Sequence, residues 1–429
     1  MAATLAEKIL ARASGRDRVE PGEIVWVTPD LVTTPEVSFP AYVNRLRQNG
    51  IDRFALPERV VVAIDHEVPV HSKEGAERNR RTRQLARETG VGHLFDGDGI
   101  THPLVVERGH VRPLDFVAAA DTHTPSLGGV GALGVPFSIE LTMILAIGRI
   151  WVKVPETVRV EIRGKCPPGV TARDLVLATM ARVDADLANY RVIEFGGEAV
   201  AALSIPERMT LCGLCIDMGA KSAVTEVDER CVAFLAERGV TGVEPVRADP
   251  GCRYAAVVTL DASTLSPQVS IPPSPTHVRP VAELADTRIQ HAYIGSCASG
   301  SLAELTAAAD LLDGRTVHPE VQMLVIPATR RIYQQAMENG VLARLSAAGA
   351  MVSPPTCGPC FGGLAQLAAG EARISTSTRN DPGRMGSRDA QIYLGSALTV
   401  AASAIAGRIA DPRDYLPAHT PAHMEDAAR

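Results

Sequence analysis

The sequence predicts an α/β protein with more than one domain, and three observations support this prediction. A chain of 429 residues is longer than one hydrophobic core usually organises, so two or three domains are expected. Hydrophobic residues make up 46% of the chain and aromatic residues only 4%, which favours aliphatic helices layered on parallel strands. Short apolar runs alternate with longer helix-like segments, as expected for this class.

Composition excludes several classes of function. A net charge of −6 without a basic cluster argues against nucleic acid as a partner, because phosphate binding needs concentrated Lys and Arg. No apolar run approaches the roughly 20 residues of a membrane span, and the N-terminus lacks a signal-peptide core. The eight cysteines are too sparse for a disulfide framework. We therefore expect a cytoplasmic protein with no membrane partner.

The first third of the chain places acids and histidines beyond predicted strands. A short helix over residues 4–13 and a strand from Gly22 precede the β-branched run 60–64, which ends in Asp65 and His66. A charged helix over 74–88 follows, and then a glycine-rich loop that carries His102. The carboxyl ends of parallel strands are where ligands bind in open α/β sheets.

A second acid–imidazole pair repeats this pattern. The apolar run 116–120 leads into Asp121-Thr122-His123, again just past a predicted strand. One such pair more often caps a helix or satisfies turn amides. Two pairs at strand ends, together with His102, favour a catalytic site.

The run from Gly129 to Gly134 satisfies G-x-G-x-x-G and raises the alternative of an NAD-dependent oxidoreductase. That fingerprint should lie directly between a strand and a helix. Here seven residues separate Asp121 from the first glycine, so we expect these glycines to allow close packing instead.

The middle of the chain contains one unusual carboxylate. A helix over 137–150, a strand pair interrupted by Pro155 and a capped helix from Thr171 are predicted. Glu194 then lies inside a short strand beside glycines, where a charge without a function is unfavourable. Glu194 is therefore a candidate site residue.

A Pro/Ser-rich connection over 264–282 is the clearest predicted boundary. We predict α/β domains over 1–135, 136–282 and 283–412, the second ending in this linker, and a peripheral tail over 413–429.

Three cysteines in the last domain could bind a metal. Cys297 follows a strand and precedes a helix, whereas Cys357 and Cys360 share one C-x-x-C turn. Three thiolates suit an iron–sulfur cube with one open iron, which can act as a Lewis acid. A zinc site completed by a histidine, a redox dithiol and unrelated buried cysteines remain alternatives. The second C-x-x-C, Cys212 and Cys215, lies in an apolar context typical of packing.

The residues around these cysteines resemble a known family. Four stretches carry the resemblance: Ile294-Gly-Ser-Cys, Pro355-Thr-Cys-Gly-Pro-Cys-Phe-Gly-Gly, Ser375-Thr-Ser-Thr-Arg-Asn-Asp-Pro-Gly-Arg-Met-Gly and Thr399-Val-Ala-Ala-Ser-Ala-Ile-Ala-Gly-Arg. They resemble the aconitase and isopropylmalate isomerase superfamily, in particular the large subunits of its two-component members. The resemblance spans roughly residues 25–415 of the chain.

The resemblance implies a fold, a cofactor and a reaction. The fold would be three α/β/α domains around a central iron–sulfur cleft, without the fourth, swivelling domain. A [4Fe–4S] cluster with one open iron would be held by Cys297, Cys357 and Cys360. The reaction would be the dehydration and rehydration of a hydroxy di- or tricarboxylic acid, which makes the chain a hydro-lyase.

The resemblance also assigns roles to individual residues. The predicted catalytic residues are Asp65, His66, His102, Asp121, His123 and Glu194. The predicted substrate-binding residues are Thr122, Arg379 and Arg384, and the guanidinium groups suit carboxylates.

The resemblance implies a partner as well. A separate small subunit would carry the swivelling domain and supply the proton-abstracting base, in a heterodimer or heterotetramer. Four departures from the family pattern, at Thr122, Pro103, Ala298 and Thr378, leave the substrate open among 3-isopropylmalate-like, homocitrate-like and specialised alkylmalate acids. A non-catalytic binding protein that keeps the fold is a further alternative.

Overall fold

The computed structural model describes residues 2–416 and confirms the α/β class. The α-helices are α1 Leu5–Ser14, α2 Phe39–Gln48, α3 Lys73–Thr89, α4 Thr101–Glu107, α5 Leu141–Ile147, α6 Ala172–Met180, α7 Ala185–Ala188, α8 Glu198–Ala202, α9 Ile205–Gly213, α10 Glu229–Ala236, α11 Leu302–Leu312, α12 Arg330–Glu338, α13 Val341–Ala347 and α14 Ala397–Ala406. The strands are β1 Ile24–Val27, β2 Leu31–Pro35, β3 Val60–Ile64, β4 His93–Asp96, β5 Phe116–Ala119, β6 Leu133–Pro136, β7 Ile150–Lys153, β8 Thr157–Arg163, β9 Val192–Gly196, β10 Ser222–Thr225, β11 Ala256–Asp261, β12 Gln268–Ser270, β13 Val278–Pro280, β14 His291–Ile294, β15 Gln322–Val325, β16 Met351–Val352, β17 Ala372–Ser375 and β18 Gln391–Leu394.

The chain divides into two compact units. Unit 1 comprises Met1–Glu161, Ala185–Gly196 and Cys212–Val258. Unit 2 comprises Ile162–Asp184, Gly197–Leu211 and Thr259–Arg429. The division into three domains stays a prediction, and residues 417–429 of the predicted tail lie outside the described residues.

Unit 1 contains a five-stranded parallel sheet in the order β4-β3-β2-β5-β6. Strand β3, Val-Val-Val-Ala-Ile, is buried along its whole length, as expected for a central strand covered on both faces. Helix α1 begins with a capping box in which Thr4 and Glu7 satisfy each other's backbone amides. A second parallel set, β10-β9-β8, belongs to a four-stranded sheet whose fourth strand is β11.

A two-stranded antiparallel ribbon, β1 with β7, also belongs to unit 1. Its strands alternate between buried and exposed residues. Trp26 and Trp151 lie directly opposite each other on the exposed face. The guanidinium of Arg149 lies 4.9 Å from the centre of the Trp26 ring.

Unit 2 contains a seven-stranded sheet in the order β13-β12-β18-β17-β14-β15-β16. The five strands from β18 to β16 are parallel, and β12 and β13 pair antiparallel at one edge. Helix α11 begins with a capping box between Ser301 and Glu304 and packs on the aliphatic core of this sheet.

Most predicted elements are confirmed, and three differ. The glycine-rich loop predicted to carry His102 contains β4 and the start of α4, so His102 lies in a helix; Gly97 and Gly99 form only the turn between the two elements. The helix predicted over 137–150 is shorter, because α5 ends at a left-handed Gly148 and Ile150 enters β7. The segment predicted as a Pro/Ser-rich linker carries two short strands, β12 and β13. The proline-rich composition concealed them because its prolines lie outside β12 and at the end of β13, the edge strand, where proline is tolerated.

The glycine run between Gly129 and Gly134 leads into strand β6 and not into a helix. A Cβ on Gly134 would lie 2.1 Å from the carbonyl oxygen of Thr124, and one on Gly131 would lie 2.2 Å from a methyl of Val227. The glycines therefore allow close packing, as predicted, and the nucleotide-binding alternative loses its support. Among the described residues, no helix has the length and apolar character needed to cross a membrane.

Candidate active site

The first acid–imidazole pair of unit 1 lies immediately after β3. The Nδ1 atom of His66 and a carboxylate oxygen of Asp65 are 2.7 Å apart. Glu36, which follows β2, accepts backbone N–H bonds from Asp65, His66 and Glu67 at 2.9–3.2 Å. All these residues are buried. A buried carboxylate on a neighbouring strand therefore fixes the turn that carries the pair.

Asp65 connects this turn to the helix that carries His102. Its second carboxylate oxygen accepts bonds from the backbone N–H and the hydroxyl of Thr101, at 2.8 and 2.7 Å. Thr101 is the first residue of α4, so the carboxylate binds a helix N-terminus. His102, the next residue, is thereby positioned.

Asp121 links the three predicted histidines. Its Oδ1 lies 2.8 Å from Nε2 of His102 and accepts the backbone N–H of His123 at 2.9 Å. Its Oδ2 lies 3.9 Å from Nε2 of His66. The structure thus brings together five of the six predicted catalytic residues: Asp65, His66, His102, Asp121 and His123.

The charges of this cluster determine its protonation. Burial alone would raise the pKa of Asp121, but the neighbouring His102, His123 and His66 lower it well below its ordinary value. Asp121 is therefore ionised and acts only as an acceptor, so Nε2 of His102 carries the proton that it donates. The Nδ1 atom of His102 is buried and makes no hydrogen bond within residues 2–416.

His66 is the protonated member of the cluster. Burial alone would lower its pKa, but the carboxylates of Asp65, Glu36 and Asp121 outweigh burial and raise the pKa to about 10. At neutral pH the ring is an imidazolium enclosed by carboxylates. Such a group can donate a proton to a developing hydroxide.

Asp217 is a site residue that the sequence analysis missed. Its Oδ2 lies 3.2 Å from Nε2 of His123, and both side chains are buried. We treated Cys212 and Cys215 as packing residues and did not consider the acid two positions further on. The signal was present, because this acid lies inside an otherwise apolar segment, Leu214–Met218, that ends at a left-handed Gly219.

Glu194 lies in a different environment from the histidine cluster. Its carboxylate is completely buried and accepts bonds from Arg159, Tyr254 and the backbone N–H of Leu5, at 3.1, 2.5 and 3.0 Å. These are its contacts within the described residues, and they form a closed structural network. A catalytic role for Glu194 stays a prediction. Thr122, predicted to bind substrate, is half-buried between Asp121 and His123.

Three residues of unit 1 are close enough to share a cation. Ligand atoms of Glu36, Asp65 and His66 all lie within 4.8 Å of one another. However, both carboxylates already accept hydrogen bonds from the chain, and a protonated imidazole cannot ligate a metal. The set is therefore a hydrogen-bond network.

In unit 2, Cys297 lies on a strained turn after β14. The preceding residue, Ser296, is buried and has a left-handed φ of 91°. Its hydroxyl donates to the carbonyl of Thr376 at 2.9 Å and accepts the N–H of Ala298 at 3.2 Å. Hydrogen bonds of this kind maintain an unfavourable backbone conformation, and such strain is frequent at functional sites.

Cys357 immediately precedes a short 3-10 helix, Gly358–Phe361, and Cys360 is the third residue of that helix. Both are buried, and the Cys360 sulfur lies 3.6 Å from the hydroxyl of Thr378. Arg384 donates from Nε to the carbonyl of Cys360 at 3.1 Å, which leaves its terminal guanidinium nitrogens available next to this turn. Arg379, the other predicted carboxylate-binding residue, is half-buried one position after Thr378.

Arg173 is a second residue that the sequence analysis missed. This almost completely buried side chain, the second residue of α6, donates to the carbonyls of Ala298, Thr376 and Ser377. Burial lowers its pKa, while the charges of Glu304, Asp174, Cys297 and Cys360 oppose the shift. It joins the turn of Cys297 to the segment that leads to Thr378 and Arg379.

The surroundings of the three cysteines fit an anionic sulfur cluster. The hydroxyl of Tyr293 is buried and makes no hydrogen bond within residues 2–416. Burial raises its pKa well above the ordinary value, and the charges of Cys360, Cys357 and Cys297 raise it further. The charges of all three cysteines therefore act on one unsatisfied donor, as expected where sulfur ligands and sulfides would accept a hydrogen bond.

The chain has acid–imidazole pairs beyond parallel strands, and its α/β fold also carries three buried cysteines on two loops. Together these features define a hydro-lyase of the aconitase type. Residues 7–407 match the Aconitase family (aconitate hydratase), and the chain belongs to this family.

Curated relatives resemble the chain over nearly its full length. It is 44% identical over 419 residues to the 3-isopropylmalate dehydratase large subunit 1 of Methanopyrus kandleri, covering 97% of this chain and 100% of that protein. It is 40% identical over 420 residues to the 3-isopropylmalate dehydratase large subunit of Moorella thermoacetica, covering 97% and 100%. It is 37% identical over 419 residues to the 3-isopropylmalate dehydratase large subunit 1 of Pyrococcus furiosus, covering 96% and 99%. The words "large subunit" in these names imply a small-subunit partner.

Proposed function

We propose that this chain is the cluster-bearing large subunit of a hydro-lyase that dehydrates and rehydrates a hydroxy di- or tricarboxylic acid, with 3-isopropylmalate as the first candidate substrate. The observation that carries the proposal is the full-length similarity to relatives named 3-isopropylmalate dehydratase large subunits. The hydrogen-bonded histidine cluster around Asp121 supports catalytic competence and disfavours a non-catalytic binding protein.

The three cysteines would hold a [4Fe–4S] cluster with one open iron. When bound, such a cluster supplies a Lewis acid that polarises an oxygen atom. The chain contributes the environment: buried cysteines on two connected turns, and buried donors around them.

The histidine cluster would manage protons. Hydroxide is a poor leaving group, so dehydration needs a proton at the departing oxygen. The His66 imidazolium can supply it, while Asp121 fixes the His102 ring and Asp217 fixes the His123 ring. A residue so enclosed by carboxylates regains its proton readily after each transfer.

Arg379 and Arg384 would bind the carboxylates of the substrate, because a guanidinium matches a carboxylate with two parallel hydrogen bonds. The base that removes the carbon-bound proton would come from the small subunit. The chain alone should therefore show little turnover. The cytoplasmic location stays a prediction.

Anaerobic reconstitution together with a co-expressed small subunit tests this proposal. We expect about four irons and four sulfides per large subunit, the composition of a cubane cluster. We also expect formation of an unsaturated acid from 3-isopropylmalate, followed by its absorbance in the ultraviolet. Homocitrate and alkylmalates should be assayed in parallel to identify the preferred acid.

Two cysteine variants provide the matched comparison. Cys297→Ser should lose most of the iron, whereas Cys166→Ala should retain it. Cys166 is also buried in unit 2, but burial raises the pKa of its thiol to about 11, so it stays protonated. A colourless wild-type complex after reconstitution, or equal iron contents in both variants, would refute the cluster assignment.

A further inference from the structure

Tyr293 places a buried hydroxyl without a hydrogen-bond partner in the described residues beside the turn that carries Cys297. It is the third residue of β14, and its backbone is held on both sides by parallel neighbours, β15 and β17. The side chain is 1% exposed, and its hydroxyl makes no hydrogen bond within the described residues. An unsatisfied buried hydroxyl is unfavourable, so its retention calls for an acceptor.

The position of the ring is fixed by the turn that carries Cys297. A Cβ atom on Gly295 would lie 2.6 Å from the Tyr293 hydroxyl oxygen and 2.7 Å from a ring carbon. The absence of a side chain at Gly295 therefore lets the ring fold back against this turn. Tyr293 precedes Cys297 by four residues, and its hydroxyl lies beside the turn at Gly295.

The charges of the three cysteines and of Arg373 act on this hydroxyl. A phenol is protonated at neutral pH and can donate a hydrogen bond to a sulfur ligand. Arg373, the charged neighbour, is itself buried and has its Nε without a hydrogen bond within residues 2–416.

We propose that the Tyr293 hydroxyl donates a hydrogen bond to a sulfur atom of the iron–sulfur cluster and thereby tunes its reduction potential. Tyr293 is thus a positioning residue and not a catalytic one. The inference rests on the proposed cluster. A donor to sulfur stabilises the more electron-rich, reduced cluster, so it raises the reduction potential and protects the cluster from oxidation.

Tyr293→Phe in the reconstituted complex tests the inference, because it removes one oxygen atom and retains the ring. We expect unchanged iron and sulfide contents, a more negative reduction potential by voltammetry, and iron release in air that is several-fold faster than in the wild type. In deuterated buffer, electron–nuclear double resonance should detect an exchangeable proton coupled to the wild-type cluster, and this coupling should be lost in the variant.

Tyr393→Phe is the matched control. Tyr393 lies on β18 of the same sheet and is half-buried, and the pKa shift of its hydroxyl comes from burial without a contribution from cysteine. It should leave the potential, the iron release and the proton coupling unchanged.

The two proposals can fail separately. A full cluster with the same potential, release rate and exchangeable coupling in Tyr293→Phe and the wild type would overturn the role of Tyr293 alone. A wild-type complex that takes up no iron or sulfide would overturn the proposed function, and the inference with it. If Tyr293→Phe does not fold, absence of the exchangeable coupling in the wild type would still overturn the inference.

Discussion

Replacing Arg173 by methionine should destabilise unit 2 strongly, because this buried guanidinium joins two loops. It donates to the carbonyl of Ala298, which follows Cys297, and to the carbonyls of Thr376 and Ser377 on the second loop. A hydrogen bond from a charged donor stabilises a fold by about 1.5–3 kcal/mol. The lost hydration of a buried guanidinium offsets part of that gain.

The other donors at these carbonyls set the net magnitude. The Ala298 carbonyl also accepts from Thr210, and the Thr376 carbonyl also accepts from Ser296, so both retain a partner in the variant. The Ser377 carbonyl loses its Arg173 donor. We therefore expect a loss of about 3 kcal/mol in the free energy of unfolding, near one charged bond plus one orphaned carbonyl.

Differential scanning calorimetry of the purified chain measures this loss. About 3 kcal/mol corresponds to a fall in Tm of about 6–12 °C for a unit of roughly 200 residues. Arg315→Met is the matched control, since Arg315 also donates to two carbonyls of unit 2 but from the surface. A fall in Tm no larger for Arg173→Met than for Arg315→Met would refute the reasoning.

Three further predictions concern unit 1. Asp217→Asn should reduce kcat at least about 100-fold without unfolding the chain, because it removes the anionic partner of His123. The pKa of His66 is raised to about 10 in the folded chain from an ordinary value of about 6.5, so its stabilising contribution is complete below about pH 6.5 and is lost as the pH rises through 10. Glu194→Gln should lower the free energy of unfolding by about 1.5–3 kcal/mol, because the buried carboxylate at this position accepts charge-assisted bonds, whereas Arg159 keeps Glu161 and Glu226 as charged partners.

Separate measurements check each of these. Steady-state kinetics of the reconstituted complex, with circular dichroism as the control for folding, tests Asp217→Asn, and near-normal turnover would contradict it. Urea unfolding of the wild type and His66→Gln between pH 6 and 10 should show curves that converge as the pH rises; a constant gap would contradict the assignment. For Glu194→Gln, an intact Tm together with lost activity would support a catalytic role over a structural one.

The sequence was sufficient for the class and for the contents of the main site. Apolar strands followed by an acid and a histidine predicted where β3 and β5 end. Because parallel strands bring their carboxyl ends to one edge of a sheet, the same pattern predicted that these side chains lie together. The residue types also predicted paired carboxylates and imidazoles. How Asp121 joins three histidines was not predictable, since it depends on loops whose geometry no local pattern encodes.

The residues that were missed share a physical cause. Asp217 and Arg173 lie in apolar or helical segments, where local patterns predict packing, and their partners are distant in sequence. Glu194 is the converse case. Its burial was predicted correctly, but the ion pair with Arg159, which explains that burial, was invisible without tertiary structure.

The antiparallel ribbon of β1 and β7 determines which part of this protein tryptophan fluorescence can detect. The chain has two tryptophans, Trp26 and Trp151, and both side chains are about half exposed to water on that ribbon. Tryptophan emission therefore reports only on unit 1, and it should already be red-shifted before denaturation. Tryptophan fluorescence would not detect unfolding that begins around the cysteine turns, so a heat-capacity or iron-release signal is needed to follow unit 2.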